Sequence, residues 1–183
     1  MKKNIGSKLA LYPTPLVVVG AMVKGKPNWI LIGHLGIMGH DHIMISMAKA
    51  HYTNQGIIEN KALSANVVTE AWLKKADYVG CVSGTNEDKS EIFNYTIGET
   101  GAPLLSEADV AMECELEDTY ETKGFDNFIL TIKNTFADES VLNDNEQIDY
   151  SKLKPVLFEM PTYEYLRTGN VIGKCMKLRR LQS

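Results

Sequence analysis

The chain has 183 residues, enough to bury a hydrophobic core without disulfides or a structural metal, and we expect one domain over residues 1–183. Its 19 basic and 23 acidic residues give a formal net charge of −4, and 44% of its residues are hydrophobic. This composition excludes wholesale disorder. The acidic balance also lacks the positive charge that duplex nucleic acid requires, so no nucleic-acid partner is expected.

The sequence also argues against a membrane protein. The longest strongly apolar run, Leu16–Val23, is far shorter than the ~20 residues that a membrane-spanning helix needs. Glycines and prolines interrupt the N-terminal segment, so we expect no signal peptide and a cytoplasmic location. Three cysteines, Cys81, Cys114 and Cys175, without a CxxC motif are typical of buried thiols in a reducing compartment.

The first half of the chain predicts mainly strands. Leu16–Val23 is rich in β-branched residues, Lys24–Pro27 is a turn, and Asn28–Leu35 resumes the apolar run, which together predict a β-hairpin. Further strands are predicted over Ile43–Met47 and Ala62–Val68.

Two short helices are predicted among these strands. Thr53 is the expected N-cap of a helix over Asn54–Asn60, and Thr69 that of a helix over Glu70–Tyr78. Gly80 stands where the second helix would stop.

The second half returns to strand after a turn-rich segment that carries a predicted helical turn over Lys89–Asn94. Val110–Glu117 alternates apolar and acidic residues, as a strand with one wet face does, and Phe125–Thr135 is rich in strand-forming residues. A final strand pair is predicted near Val156–Phe158 and Val171–Leu178.

About seven strands with few short helices, and no regular alternation of the two, predict a mostly β (β-rich α+β) fold: an antiparallel barrel rather than a Rossmann sheet.

Motifs of common chemistry are absent or incomplete. His34, His40, His42 and His51 lie within eighteen residues, but without an HExxH motif or a nearby cysteine they are interpreted as structural or surface residues, and no metal is predicted. Gly84–Ser90 ends like a phosphate-binding P-loop with an aspartate in place of the second glycine, which excludes an NTPase. No GxSxG motif supports a serine hydrolase.

An ordered set of segments does carry a resemblance. Lys8–Gly20, Gly25–Asn28 and Gly36–Gly39 resemble the opening of the flavoredoxin group of the flavin reductase-like family. Glu113–Leu116 resembles the family's xECxL strand, and Asp149–Pro155 resembles its DxxKLKP loop. The sequence is therefore similar to that family over nearly its whole length.

The resemblance implies a split β-barrel that binds FMN without a covalent bond at a homodimer interface. It implies an oxidoreductase that passes hydride or electrons from NAD(P)H or a protein donor to an acceptor, with no catalytic residue assigned. A flavin site needs a dianion site for the phosphate and an apolar wall for the ring. The residues that the resemblance places at this site are Asn28, His34, Gly36, Ile37, Met38, Ser46, Lys49, Thr53, Asn66, Ser83, Lys89 and Tyr165.

Specific roles follow from the resemblance for some of these residues. Thr53 at a helix start, with Ser46 and Lys49 before it, is expected to hold the phosphate. Lys89 is expected near the flavin as a second cation; if it lies by the N1–C2 edge, it would favour the anionic reduced ring.

Two departures from the family pattern stand out. His34 occupies a position where the flavoredoxin group commonly has tryptophan, and Lys123–Asn127 lacks the histidine that nicotinamide-using relatives often carry. The second departure concerns NAD(P)H use more than FMN binding.

Two other functions remain open at the level of sequence. One is a split-barrel protein that binds FMN or another small ligand without turnover. The other is a metal-binding barrel that uses His40, His42 and His51.

Overall fold

The structure, a computed structural model, describes residues 1–178. Its strands are β1 (Thr14–Pro15), β2 (Val17–Val23), β3 (Lys26–Ile32), β4 (Leu35–Ile37), β5 (His42–Ala48), β6 (Ala62–Val67), β7 (Tyr95–Ile97), β8 (Pro103–Leu105), β9 (Val110–Thr122), β10 (Phe125–Ala137), β11 (Leu157–Glu159) and β12 (Glu164–Leu166). Its α-helices are α1 (Thr53–Asn60), α2 (Leu73–Cys81) and α3 (Tyr150–Leu153), with short 3₁₀ turns at Glu70–Trp72 and Glu139–Val141.

Seven strands form one antiparallel sheet in the order β3-β2-β6-β9-β10-β5-β4. Its two edge strands, β3 and β4, are consecutive in the chain and are joined by Gly33 and His34 alone. Because so short a connection spans at most about 11 Å, the sheet must curl until its edges approach each other. The result is a split β-barrel, and the predicted mostly β fold with few helices is confirmed.

The predicted hairpin at the start of the barrel is confirmed, with different strand limits. Lys24 and Gly25 have φ of 51° and 78° and form its two-residue turn, the backbone that matches the twist of paired strands. The second strand begins at Lys26 and ends at Ile32, so Leu35 belongs to β4 instead.

A hydrophobic core lies on each face of β2, which explains its unbroken apolar run. Val17 and Val19 pack in the barrel interior with Ile45, Leu63 and Phe128. Leu16 and Val18, which alternate with these residues, point to the other face beneath α2. There they pack in a second core that includes Trp29, Trp72 and Val79.

The helix after β5 is confirmed, but the prediction of Thr53 as its N-cap is wrong. Tyr52 occupies the N-cap position without a side-chain bond, and Thr53 is the first residue of α1. The Thr53 hydroxyl instead accepts a hydrogen bond from the amide of Asn28 at 2.7 Å, so a tertiary contact replaces the local cap.

The second helix is also confirmed. Thr69 is the N-cap residue of the 3₁₀ turn Glu70–Trp72, without a side-chain cap bond, and this turn continues into α2. The helix ends at Cys81, one residue beyond the predicted stop at Gly80.

Two predicted elements are wrong. Lys89–Asn94 forms turns rather than a helix, and Phe93 from this segment inserts between Trp29 and Trp72. Val171–Leu178 contains no strand; the partner of β11 is β12, because the chain reverses at once between these two strands.

The cysteines differ from the expectation of buried thiols. Cys114 is buried in the barrel, and burial raises the pKa of its thiol to about 12. Cys81 and Cys175 are exposed, and none of the three forms a disulfide within the described residues. Across residues 1–178, no helix has the length and apolar character needed to cross a membrane.

Gly56 offers a test of how α1 packs on the barrel. A Cβ at this position would overlap the Met22 carbonyl oxygen of β2. We expect Gly56→Ala to lower the free energy of unfolding by about 1–3 kcal/mol, since rigid backbone must move to accommodate the methyl group. Chemical denaturation measures the change.

The matched control is Gly39→Ala, because a Cβ at Gly39 meets no atom closer than 4.0 Å. Equal stability of the two variants would contradict the close packing of α1 on β2.

Candidate functional site

A cavity of about 630 Å³, here called the central cavity, lies between the junction of β3 and β4 and helix α2. Its walls come from β3, β5, α2, β10 and the β11–β12 hairpin. The lining residues are Leu16, Leu31, Ile32, Gly33, His34, Ser46, Ala48, His51, Asp77, Gly80, Cys81, Phe125, Phe158, Met160, Tyr163 and Tyr165. The wall is mainly apolar and aromatic with few polar groups, as in small-molecule sites.

The β11–β12 hairpin covers one side of the central cavity. It pairs only with the two-residue strand β1, in a sheet separate from the barrel. The Tyr165 hydroxyl donates a hydrogen bond to Asp77 on α2, and Arg167 makes a two-bond contact with Glu70 at 2.6 and 2.8 Å. Burial, followed by the Asp77 contact, raises the pKa of Tyr165, so its hydroxyl stays protonated and donates.

The opposite wall is formed at the junction of β3 and β4. The backbone carbonyl of His34 accepts a hydrogen bond from the amide of Ser46 on β5 at 2.9 Å. Nε2 of His34 lies 2.8 Å from the Tyr12 hydroxyl. The His34 and Phe125 rings meet edge to face, with 6.3 Å between their centroids. Two of the predicted site residues, His34 and Ser46, are thus fixed side by side.

A smaller recess of about 350 Å³, here called the polar recess, lies near the central cavity. The two spaces are close together, because the charge of Lys89 in the wall of the recess lowers the pKa of His51 in the wall of the cavity. Asn28 stands in the recess, where its amide donates to Thr53. A Cβ at Gly84 would overlap the Asn28 amide oxygen, so glycine is needed for this approach of the loop after α2.

Lys89 lies in the wall of the polar recess and is only 3% exposed. Its ammonium donates to the carbonyls of Val79 and Val82, both at 3.0 Å, and so satisfies the C-terminal end of α2. Burial lowers the pKa of Lys89 to about 8, with Glu87 partly opposing the shift. At neutral pH the side chain therefore still carries its positive charge.

His51, in the wall of the central cavity, lies close enough to Lys89 to feel its charge. Burial and the nearby Lys89 lower the pKa of His51, so its ring is neutral at pH 7. Its Nδ1 is buried without a hydrogen-bond partner among the described residues. A buried polar atom of this kind is costly unless a bound group satisfies it.

The other predicted site residues lie at different distances from these spaces. Lys49 is exposed and forms an ion pair with Glu121, although it lies between the cavity residues Ala48 and His51 in sequence. Ser83 is exposed beside Gly84, and its hydroxyl accepts from the Thr85 amide. Gly36 and Ile37 are in β4 and Met38 follows them, and all three lie outside the walls of the cavity.

Asn66 is fully buried and all its hydrogen bonds are internal. Its amide donates to the Val18 carbonyl and the Ser64 hydroxyl, and its oxygen accepts from the Leu105 amide. This side chain joins β2, β6 and β8 and does not line the central cavity.

The cavity contains residues that were not among the predicted site residues. Four come from one short stretch and from the helix opposite it: Phe158, Met160, Tyr163 and Asp77. The aromatic content of Phe158–Tyr165 is visible in the sequence, but no local pattern shows that this stretch faces α2. Across residues 1–178 no three His, Cys, Asp or Glu side chains are grouped so as to hold a metal ion.

A curled antiparallel sheet with an aromatic cavity where its edges meet defines the class of split β-barrel proteins. The sequence matches the model of the flavin reductase-like domain over residues 9–164, and the chain belongs to that family. The resemblance seen in the sequence is therefore confirmed. A search among proteins of curated function found no significant match.

Solved structures give the same result. The flavoredoxin from Methanosarcina acetivorans is 32% identical, with 97% of each chain covered and a TM-score of 0.93. The flavoredoxin of Desulfovibrio vulgaris (Miyazaki F) is 33% identical over 98% of this chain and 100% of its own, with a TM-score of 0.90. An FMN-binding protein from Thermus thermophilus, 20% identical over 95% of this chain and 100% of its own, shares the fold with a TM-score of 0.81. These matches support a flavin-linked oxidoreductase role and a flavin cofactor.

The hairpin contact with α2 can be tested by removing one hydroxyl. We expect Tyr165→Phe to accelerate backbone hydrogen exchange in residues 157–166 about fivefold, corresponding to the loss of about 1 kcal/mol from one hydrogen bond. Exchange in the seven-stranded sheet should not change. Mass spectrometry of peptic fragments measures both regions.

Tyr150→Phe serves as the control, because Tyr150 is exposed and its hydroxyl forms no hydrogen bond within the described residues. Unaltered exchange in residues 157–166 of Tyr165→Phe would show that the Asp77 contact does not hold the hairpin closed.

Proposed function

We propose that the protein binds FMN in the central cavity and transfers hydride or electrons from a reduced donor, NAD(P)H or a protein, to an acceptor. The observation that carries the proposal is the aromatic central cavity, with a polar recess nearby whose wall contains the charged Lys89. Membership of the flavin reductase-like family supports the same assignment.

The central cavity fits the ring system of a flavin. Its volume of about 630 Å³ lies within the range of about 300–1,000 Å³ that is typical of small-molecule sites. The side chains of Phe125, Phe158 and Tyr163 supply apolar surface for a flat ring, while Ser46 supplies a hydroxyl. Bound FMN would supply reversible two-electron chemistry.

The side of the cavity near His51 fits the polar tail of FMN. The unsatisfied Nδ1 of His51 offers a hydrogen-bonding atom, and the charge of Lys89 nearby would attract an anion. Lys49 is the third group on this side, and its ion pair with Glu121 is at the surface, where such pairs contribute little and exchange partners at low cost. These groups would hold the ribityl chain and the phosphate.

The protein's own residues would control access and geometry. The β11–β12 hairpin would exclude water from one side of the site, because Phe158 and Tyr165 cover it. The His34 and Ser46 backbones, hydrogen-bonded to each other, would keep the opposite wall rigid. Such pre-organisation lowers the cost of binding a rigid ring.

The deciding experiment is a visible spectrum of the purified protein, an FMN titration, and then anaerobic addition of NADH or NADPH. Uptake of FMN followed by bleaching supports a reductase. FMN that binds but stays oxidised favours an electron carrier with a protein donor, or the alternative of a binding protein without turnover. Phe125, in the segment without the expected histidine, lines the cavity and would be the next residue to vary. No FMN uptake would overturn the proposed function.

The predicted contact of Lys49 with the phosphate can be distinguished from an effect of the protein's overall charge. We expect Lys49→Gln to weaken FMN binding about tenfold, or about 1.4 kcal/mol, because one charge-assisted hydrogen bond is lost. Binding of riboflavin, which lacks the phosphate, should not change. Fluorescence titration with both flavins measures the difference.

Lys133→Gln is a close control for this change. Lys133 forms an ion pair with Glu115, and both lysine side chains are 46% exposed. Lys49 would be removed from the site if the two variants bound FMN with equal affinity.

We also propose that the protein forms a homodimer. The edge strand β4 leaves Ile37 88% exposed, and Met38 beside it is 54% exposed. A second copy that covers these side chains would bury an unpaired sheet edge, which soluble proteins normally protect. The same contact would bring the resemblance-assigned residues Gly36, Ile37 and Met38 to the subunit interface.

Light scattering tests this assembly. We expect twice the chain mass of 20.4 kDa for the wild type. Ile37→Lys should weaken the interface and shift the protein toward the single-chain mass. Ile58→Lys, on the exposed side of α1, is the control. A wild type that stays at the single-chain mass would contradict the proposal.

A further inference from the structure

Tyr12 forms a polar pair with His34, which lines the central cavity. The Tyr12 hydroxyl lies 2.8 Å from Nε2 of His34 and 3.4 Å from Sδ of Met160. Both rings are half-buried, and the Tyr12 ring also packs edge-on against Phe158. The pair is therefore held by packing as well as by hydrogen bonding.

The hydroxyl has one proton and two acceptors, and the choice between them sets the state of His34. A thioether sulfur is a weak acceptor, so with a neutral imidazole the hydroxyl donates to Nε2 and leaves the ring proton on Nδ1. With a charged imidazole, Nε2 donates to the hydroxyl oxygen, and the hydroxyl can turn to Met160. The arrangement accommodates both protonation states without moving the ring.

The second ring nitrogen is not used by the Tyr12 contact. Nδ1 of His34 has no hydrogen-bond partner among residues 1–178, and His34 lines the cavity. In either protonation state described above, Nδ1 carries a proton. A molecule in the cavity would therefore meet an oriented N–H donor.

We propose that His34 donates a proton from Nδ1 to an acceptor bound in the central cavity, and that Tyr12 is its positioning residue. The inference rests on the proposed function and adds a class of acceptor: a small planar molecule whose carbonyl or quinone oxygen is protonated as it is reduced.

The reduction of a quinone balances in protons and electrons. Its conversion to the hydroquinone needs two electrons and two protons. A bound anionic reduced flavin would supply two electrons and one proton together, as a hydride, and would itself become oxidised. The second proton comes from Nδ1 of the His34 imidazolium, which is left neutral with its remaining proton on Nε2 facing Tyr12, and water then restores the charge.

Other titratable groups face the same cavity. They are His51, Asp77, Cys81, Tyr163 and Tyr165. Asp77 accepts from Tyr165, and burial keeps His51 neutral at pH 7, so neither provides the same charged donor. The pH profile of the reaction is therefore assigned to His34 by comparing the wild type with the His34 variant, and not from the shape of the profile alone.

The first test measures the tautomer of His34 in protein without flavin. In protein with ¹⁵N-labelled histidine, His34→Gln identifies the His34 signals, and we expect neutral His34 to carry its proton on Nδ1. Tyr12→Phe should shift it toward the Nε2-protonated tautomer, whereas Tyr150→Phe should have no effect. A tautomer that Tyr12→Phe leaves unchanged would overturn the positioning role.

The second test follows the reaction. Protein loaded with FMN, reduced anaerobically with dithionite, is mixed with p-benzoquinone across a pH series. We expect flavin reoxidation in the wild type to slow as the pH rises, because reduction of the quinone consumes a proton. His34→Gln should slow it roughly a hundredfold and flatten the profile, the size of effect typical of a general acid. Tyr12→Phe should slow it roughly tenfold, as loss of a supporting hydrogen bond does.

The controls keep the outcomes separate. His40→Gln replaces an exposed histidine outside the cavity and should match the wild type. FMN affinity of His34→Gln, measured by titration, shows that the site is still formed. A His34→Gln protein that binds FMN and retains the wild-type rate and profile overturns the proton donor alone, whereas a wild type that takes up no FMN overturns the proposed function as well.

Discussion

The two-residue connection between β3 and β4 is the constraint on which the rest of the structure depends. Six spacings of about 4.8 Å would make a flat seven-stranded sheet about 29 Å wide, far more than Gly33 and His34 can bridge. The edges must therefore approach each other, and curling encloses the core around Ile45 and Phe128. A longer connection would permit an open sheet with both edges exposed.

The same junction gives the cavity its position. A Cβ at Gly33 would come within 3.1 Å of the Phe158 ring, so the glycine lets the β11–β12 hairpin pack directly against the barrel edges. The hairpin then faces α2, and the space left between them is the central cavity. His34, the other residue of the junction, has its backbone tied to Ser46 and its ring exposed to that space. One short connection thus closes the barrel and supplies a wall of the site.

Local patterns in the sequence predict those elements whose signals lie within the element itself. The apolar run of β2, the turn at Lys24 and Gly25, and the alternation in β9 need no knowledge of distant contacts. Thr53 shows where this fails: as a local pattern it is a helix cap, but Asn28 from another strand takes its hydroxyl. Val171–Leu178 fails for a similar reason, because the sheet already has its partner strand in Glu164–Leu166.

The candidate site shows the same division between local and distant information. Resemblance places His34, Ser46 and Tyr165 at the site and the structure brings them together, but it cannot reveal that Asp77 meets Tyr165, since that contact depends on where the hairpin lands. Lys89 connects the two kinds of information. Its ammonium satisfies two carbonyls at the end of α2, and a cation at a helix C-terminus also opposes the negative end of the helix dipole. These bonds hold the ammonium at a fixed point in the wall of the polar recess, so the charge that Lys89 presents there is a consequence of its structural role at the end of α2.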